Sequence, residues 1–147
     1  NVTLKSDRMT KKLYMLEEQV GFMMRLAGQR HSGIFQAHAP LGLTPAQFSV
    51  LVEVLELGEC SQNDLGRKTA MDVATIKGVV DRLRARDLVY VKPDPSDKRR
   101  ALVVPTEGTK AMAQDLKDAG HQITKETLEP LRELEREMFL TLLAKIS

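Results

Sequence analysis

The chain has few cysteine and aromatic residues and contains no tryptophan. Among its 147 residues there is one cysteine, and aromatic residues make up 4% of the sequence. A single cysteine excludes an internal disulfide framework and favours a reducing, cytoplasmic location. No apolar run approaches the roughly 18 residues of a membrane span, and the start of the chain lacks the apolar core of a signal peptide. We therefore expect one soluble domain over residues 1–147, with no membrane partner.

Basic residues are concentrated in one stretch, 82–100. Seven Lys and Arg residues and three Asp residues give this stretch a net charge of +4, whereas the whole chain carries +2. The basic charge is therefore local. A local basic surface is typical of a protein that faces phosphate groups, rather than of one that adheres to every anion.

Helix-capping residues divide the middle of the chain into three short helices. Thr44 and Gln47 form a capping box at the start of the first, and Gly58 is typical of the residue that ends it. Ser61 and Asp72 are expected to be the N-caps of the next two. Short helices joined by tight turns are typical of a helix-turn-helix.

The third of these helices combines an apolar face with a small, polar and basic one. With a helical period of 3.6 residues, the two faces carry Val73, Ile76, Val80 and Leu83 on one side and Thr75, Gly78, Arg82 and Ala85 on the other. A helix of this kind fits the major groove of DNA. A glycine within a helix costs about 1 kcal/mol relative to alanine. Gly78 is therefore either a tolerated surface residue or the point where the backbone approaches the groove floor.

Five residues around this helix are predicted to contact DNA. Thr75 can contact a base edge or a thymine methyl group, Arg82 a guanine or a phosphate, and Lys77 a phosphate. Ser61 and Gln62 begin the preceding helix, where backbone N–H groups favour a phosphate. Simple helix capping is the alternative for these two.

A two-stranded ribbon with a basic tip follows the third helix. After Asp87 the hydrophobic period changes from 3.6 to about two. The pattern predicts a strand at 88–91, a turn at 93–97 and a returning strand at 101–104. Arginine is favoured in a narrow minor groove, so the tip residues Lys98, Arg99 and Arg100 form a second candidate DNA contact. Asp97 can orient the Arg99 guanidinium through a charge-assisted hydrogen bond.

The two ends of the chain are predicted to be helical and to carry surplus apolar side chains. One helix is predicted over about 11–38, others over 106–127 and to the end of the chain, with Pro130 in the first turn of the last helix. These helices either extend the core of one protomer or pack against a second copy. We favour the second copy, because a symmetric dimer places two reading helices about 34 Å apart, which matches a pseudo-palindromic operator in double-stranded DNA.

Three segments together carry a resemblance to a known family. They are GLTPAQFSVL, SQNDLGRKTAMDVATIKGVVDRLRARDLV and DPSDKRRALVVPTEGTK, which span about 42–110. This array resembles the MarR family of winged-helix regulators. The resemblance implies a mainly α fold with a two-stranded β-wing, in which a winged helix-turn-helix at about 44–105 is flanked by dimerisation helices at about 11–38 and 106–147. It also implies a homodimeric repressor that a small ligand, often an aromatic acid, releases from DNA.

The resemblance assigns roles to individual residues. Thr75, Lys77 and Arg82 fall on the family's reading helix, and Arg99 falls on its wing arginine, within the motif Asp97-Lys98-Arg99. The family usually has glycine where Asp87 stands. That position needs a left-handed backbone, which Asp tolerates better than most residues.

The resemblance also leads us to expect a ligand site between the first two helices, for a small aromatic or heteroaromatic carboxylate. Its candidate residues are Arg30, His31, Phe35, His38 and Phe48. Aromatic rings can cover the ligand ring while an imidazole or guanidinium meets its carboxylate, the usual combination of apolar walls and few polar anchors. The alternative is that the two histidines are half-exposed helix residues without a ligand.

Other classes of function remain as alternatives. His31 and His38 are seven residues apart and can share a helix face, but no metal-ligand spacing accompanies them, and His121 is distant. Cys60 precedes the N-cap Ser61, and a helix N-terminus can lower a thiol pKa, so a metal- or redox-responsive regulator is the alternative. A helical protein–protein module is a third possibility. No nucleophile–base arrangement or phosphate loop suggests an enzyme, and we expect no cofactor and no metal.

Overall fold

The computed structural model describes residues 12–147, which fold into helices around a small antiparallel sheet. The α-helices are α1 Val20–His38, α2 Pro45–Leu57, α3 Gln62–Thr69, α4 Val73–Ala85, α5 Glu107–Ala111, α6 Ala113–Thr127 and α7 Glu133–Ile146; the strands are β1 Cys60–Ser61, β2 Val89–Pro93 and β3 Ala101–Pro105. Among these residues, no helix combines the length and the apolar character needed to cross a membrane.

The helix caps predicted for the middle of the chain are confirmed. The Gln47 N–H donates to Thr44 Oγ1 at 3.2 Å, and the Thr44 N–H donates to Gln47 Oε1 at 3.1 Å, so the capping box of α2 is complete. Gly58 ends α2 with φ +78°. Ser61 caps α3, and Asp72 caps α4. These caps act within four residues, which is why local sequence suffices to find them.

A tight turn joins α3 to α4. Ala70 adopts a left-handed conformation with φ +55°, and the Met71 N–H donates to the Gly66 carbonyl at 2.8 Å. A Cβ added at Gly66 would lie 3.0 Å from the Met71 carbonyl oxygen. A side chain at this position would press on the Met71 carbonyl, so glycine suits the close approach of the two segments.

The sheet has three strands, in the order β1-β3-β2. The two-stranded ribbon is present as β2 and β3, with Val91 opposite Val103. The third strand, β1, was not predicted, and it pairs Cys60 with Val103. Two residues are too few for an alternating pattern to be visible in the sequence. Asp87, before β2, has φ +57°, as the resemblance implies for a position where the family usually has glycine.

The core lies where α2, α3 and α4 pack on the sheet, and it corrects the apolar face predicted for α4. Val73 was predicted to be buried but is 71% exposed, and Val79 is buried in α4 instead. In α2, Phe48, Val52 and Leu55 are half-buried, and the fully buried residues are Val50, Leu51 and Val54. A helical period shows which residues share a face, but the neighbouring elements decide where burial along that face ends.

The predicted boundaries of the terminal helices also differ from those observed. The first helix begins at Val20, because Gln19 is extended (φ −87°, ψ +136°) and separates it from a single 3-10 turn at Leu16–Glu18; position 11, where it was predicted to start, lies outside the described residues. Pro130 precedes the last helix, which begins at Glu133 after its N-cap Arg132.

The segment between α1 and α2 breaks the helix as predicted. Leu41 and Gly42 are both left-handed, with φ +59° and +63°. The Arg86 guanidinium, just beyond α4, donates to the Leu41 carbonyl. This connection between the terminal helices and the central three is therefore held at the end of α4.

Apolar side chains cover the outside of α1 and α7. In α7 every residue is at least partly exposed. The large apolar residues of α7 are 36–75% exposed: Leu134, Met138, Phe139, Leu140, Leu142, Leu143 and Ile146. Val20, Met23, Met24 and Leu26 of α1 are exposed in the same way. Such a patch marks an association surface, and we expect a second copy of the chain to cover it.

Placing a charge on α7 tests this expectation. Leu142→Asp is expected to give monomers, because a carboxylate buried without a partner is costly. Ala144→Asp is the control, since Ala144 lies on the polar side of the same helix with Glu133 and Glu137. Sedimentation velocity distinguishes the two variants. A stable Leu142→Asp dimer would show that α7 lies outside the interface.

Candidate nucleic-acid interface

Helix α4 stands as a ridge between two clefts. On one side, Thr75, Gly78 and Arg82 line a cleft with Thr44 and Ala46 of the α2 start. On the other side, a groove separates α4 from α3; its lining includes Val73 of α4 and Gln62 and Asn63 of α3. A protruding helix with a small, polar and basic outer face can enter a major groove.

Gly78 has room for a side chain. A Cβ built there would be 3.6 Å from Arg82 Nη1, an ordinary contact, and among the described residues no other atom lies within 4 Å apart from the nearby backbone of α4 and the two adjacent residues. Packing within the protein therefore does not require glycine here. Both alternatives stay open: a tolerated surface glycine, or a close approach of the backbone to the groove floor.

The three residues of α4 that are predicted to contact DNA have different neighbours. The Thr75 N–H donates to Asp72 Oδ1 at 2.7 Å, and this bond holds the pKa of Asp72 below its usual value. The Thr75 side chain itself is exposed, as is Arg82. Lys77 Nζ lies 3.2 Å from Asp81 Oδ2, an exposed pair that a phosphate can readily replace.

The two residues predicted at the start of α3 are placed differently from each other. Ser61 is buried, and its hydroxyl accepts the Asp64 N–H at 3.2 Å. It therefore serves as a cap, with its oxygen turned inward. Gln62 is half-buried at the groove between α3 and α4, and is better placed to reach DNA.

Carboxylates shape the wing tip. Asp97 Oδ1 accepts the Arg99 N–H at 2.9 Å, while the Arg99 Nε lies 4.0 Å from the same oxygen. Asp97 was predicted to orient the guanidinium, and its hydrogen bond is made to the backbone instead. The Arg99 side chain is 96% exposed, and Lys98 is exposed beside it. The tip thus presents two cations on a turn of fixed shape.

Asp64 is a residue whose role the sequence reasoning missed. Arg100 Nη2 lies 3.4 Å from its Oδ2, and Arg67 pairs with its other oxygen. The Ser61 hydroxyl, Arg67 and Arg100 together hold the pKa of Asp64 below its ordinary value. Arg100 was predicted to be a DNA contact at the tip, yet its partner lies in α3. The separation of 36 residues left no local signal for this pair.

The residues of the predicted ligand site lie together, at the end of α6. Phe35 and Phe48 meet edge to face with ring centroids 5.7 Å apart, and the His31 ring lies 6.5 Å from Phe35. Phe35 is buried. A Cβ at Gly120 of α6 would lie 3.3 Å from the Phe48 ring, so the aromatic rings are packed closely against that helix.

The polar members of this cluster already have partners within the chain. Arg30 donates to the carbonyls of Thr127 at 2.7 Å and Glu126 at 3.0 Å. His31 Nδ1 lies 2.9 Å from Thr127 Oγ1, and His38 Nε2 contacts the Glu126 carboxylate. The Glu126 carboxylate thus occupies the place where a ligand carboxylate would meet His38.

The surroundings of Cys60 oppose a redox role. The side chain is buried, and burial, with smaller contributions from Asp64 and Glu53, raises the thiol pKa to about 11. The expectation that a helix N-terminus lowers this pKa is therefore wrong, because desolvation dominates. Residues 12–147 also contain no group of three or more His, Cys, Asp or Glu residues placed to hold a metal ion.

The sequence and the fold both match known regulators. A MarR family model matches residues 41–100. The HTH-type transcriptional repressor NicR of Pseudomonas putida is 41% identical over 134 residues, which are 90% of this chain and 85% of NicR. The chain belongs to the MarR family. The resemblance carried by its central segments is thus confirmed.

Two solved structures superimpose on about nine tenths of the chain. A probable transcriptional regulator from Pseudomonas aeruginosa superimposes with a TM-score of 0.86 at 43% identity, covering 90% of this chain and all of that one (100%). BpsR of Bordetella bronchiseptica, whose DNA binding is regulated by 6-hydroxynicotinic acid, superimposes with a TM-score of 0.84 at 41% identity, covering 91% and 96%. The chain is a DNA-binding transcription regulator with the winged-helix fold of this family.

The wing arginine is expected to matter more than other arginines of the basic segment. Arg99→Ala should weaken operator binding by at least about tenfold per half-site, as for loss of a groove contact. Arg84→Ala should have a smaller effect, because Arg84 lies toward the side of α4. Quantitative gel shifts at one salt concentration measure both. Equal losses would show that Arg99 makes no specific groove contact.

Gly78→Ala is expected to separate stability from DNA binding. The substitution should raise the free energy of unfolding by about 1 kcal/mol and weaken operator binding, because the added methyl group holds α4 away from the groove floor. Gly108→Ala in α5, which also has open space around it, is the control and should leave binding unchanged. Thermal melts and gel shifts measure the two effects. Unchanged operator affinity of Gly78→Ala would mean that this glycine is only tolerated.

Proposed function

We propose that the protein is a homodimeric repressor that leaves a pseudo-palindromic operator when it binds a small aromatic or heteroaromatic carboxylate. The supporting observation is the convergence of α1, α2 and α6 on one aromatic and imidazole cluster, formed by His31, Phe35, His38 and Phe48. The similarity to NicR supports repression, and the similarity to BpsR, whose DNA binding is regulated by 6-hydroxynicotinic acid, supports this class of ligand. A hydroxylated pyridine carboxylic acid, such as 6-hydroxynicotinic acid, is the first ligand to test.

The cluster offers what such a ligand needs. The Phe35 and Phe48 rings can cover a planar ring by edge or face contact, and His38 can meet its carboxylate. Arg30 is committed to the carbonyls at the end of α6, where its charge also stabilises that helix end. It therefore positions the site rather than contacting the ligand directly.

Helix α2 connects the ligand cluster to the DNA-facing helices, so a ligand that binds in the cluster can move them. Phe48 lies on α2 and packs against the same core as Val79 and Val80 of α4. Its ring is in close contact with Gly120 on α6, so a ligand that enters between Phe35 and Phe48 must move α2 relative to α1 and α6. In a dimer this movement changes the spacing of the two α4 helices. A ligand that binds better to the altered spacing shifts the population away from the DNA-bound form.

Ligand titration tests the proposal. 6-Hydroxynicotinic acid is expected to raise the melting temperature of the wild-type protein, because it binds the folded state, and to release operator DNA in gel shifts. The corresponding carboxamide should do neither. His38→Ala should lose the response, and Glu126→Gln should bind the acid more tightly because the competing carboxylate is removed. His121→Ala, an exposed histidine elsewhere on α6, is the control and should respond like the wild type.

Two results would contradict the proposed site. If neither this acid nor any other aromatic carboxylate binds at millimolar concentration, the effector belongs to another chemical class. If His38→Ala and Glu126→Gln respond like the wild type, the ligand binds elsewhere on the protein.

A further inference from the structure

Val73 is an apolar, β-branched residue in an unusual place. It is the first residue of α4 and is 71% exposed, although Ile76, one turn later, is almost completely buried at 1%. The Asp72 side chain accepts the Thr75 N–H at 2.7 Å, so the first turn is capped and the position of Val73 is fixed. A rigid, exposed apolar side chain is therefore held at the start of the ridge.

The groove beside Val73 is lined by polar side chains as well as by Ala70, Met71 and Ile76. Gln62 and Asn63 face it across the groove between α3 and α4, and Lys77 lies one turn further along the exposed side. Met71 is half-buried and Ile76 is buried, so the isopropyl group of Val73 is the exposed one among the large apolar side chains described along this groove. A single point of this size fits one methyl group.

The major groove of DNA offers one such partner. Among the groups that base pairs display there, the C5-methyl of thymine is the apolar one. In helix-turn-helix proteins, the N-terminal residues of the reading helix contact base edges, and Val73 occupies the first position of α4. We propose that Val73 reads the methyl group of one thymine in each half-site of the operator. This specificity role goes beyond DNA binding itself and does not depend on the identity of the effector.

Deoxyuridine substitution tests this contact without altering base pairing, since deoxyuridine lacks only the methyl group. An operator is first selected by the wild-type dimer from random duplexes, and each thymine is then replaced in turn. At one thymine per half-site, replacement is expected to weaken wild-type binding about fourfold, the effect of losing one buried methyl group. Replacement in both half-sites should weaken it about 15-fold.

The matched variant is Val73→Ala, which removes the two methyl groups that meet the thymine. Because Val73 is exposed, its melting temperature should stay close to that of the wild type. It should bind the thymine operator more weakly than the wild type and show no further loss on the deoxyuridine operator. Val73→Thr keeps one methyl group and should give an intermediate sensitivity.

Two results would overturn the proposal. If no thymine in the selected operator is sensitive to loss of its methyl group in the wild type, the operator contains no methyl contact. If a sensitive thymine exists but Val73→Ala is equally sensitive to its replacement, another residue makes that contact. In both cases the wild-type dimer still selects an operator, so neither result would question DNA binding.

Discussion

The DNA-facing surface depends on the close approach of Gly66 to the Met71 carbonyl. A Cβ built on Gly66 would lie 3.0 Å from the Met71 carbonyl oxygen. The close approach of these two residues sets how α4 leaves α3. It also sets which side of α4 is buried and which stands out between the two clefts. The sheet is tied to the same helix, because β1 runs directly into α3 and β3 pairs with β1. The reading helix and the wing are thus both positioned relative to α3.

Electrostatics support this arrangement. Asp64 on α3 accepts from Arg67 and Arg100, and Glu59 pairs with Lys92 on β2. These exposed pairs add little stability individually, but they hold part of the basic charge in place at the base of the wing. Arg99 and Lys98 at the tip extend away from these pairs. The +4 charge of the basic segment is therefore divided between cations that fix the wing and cations that can meet DNA.

Local chemistry explains which parts of the fold could be predicted. The caps at Thr44, Ser61 and Asp72 depend on a few neighbouring residues, so the sequence alone reveals them. The left-handed Asp87 was expected from the family resemblance, because the family usually has glycine there. The exposure of Val73 depends on where packing against α3 stops. The high pKa of Cys60 depends on burial, which only the assembled core provides.

The candidate functional residues also divide into those that local sequence reveals and those that depend on the assembled fold. Thr75, Gly78 and Arg82 were predicted together because one helical period relates them. The partners of Arg100 and His38 lie 36 and 88 residues away, and no periodicity links such distant positions. The ligand cluster was predicted from α1 and α2 alone, so Glu126, its internal carboxylate, was missed.

The bond between Arg100 and Asp64 has a consequence for how such a regulator changes its target. Because it joins the wing to α3, next to the pairing of β3 with β1, it helps to set the distance from wing tip to α4 within each protomer, and with it the length of DNA that we expect each protomer to cover. Substitutions on the exposed ridge of α4 leave this bond intact. New base preferences can therefore arise in descendants of this protein while the footprint on DNA keeps its length.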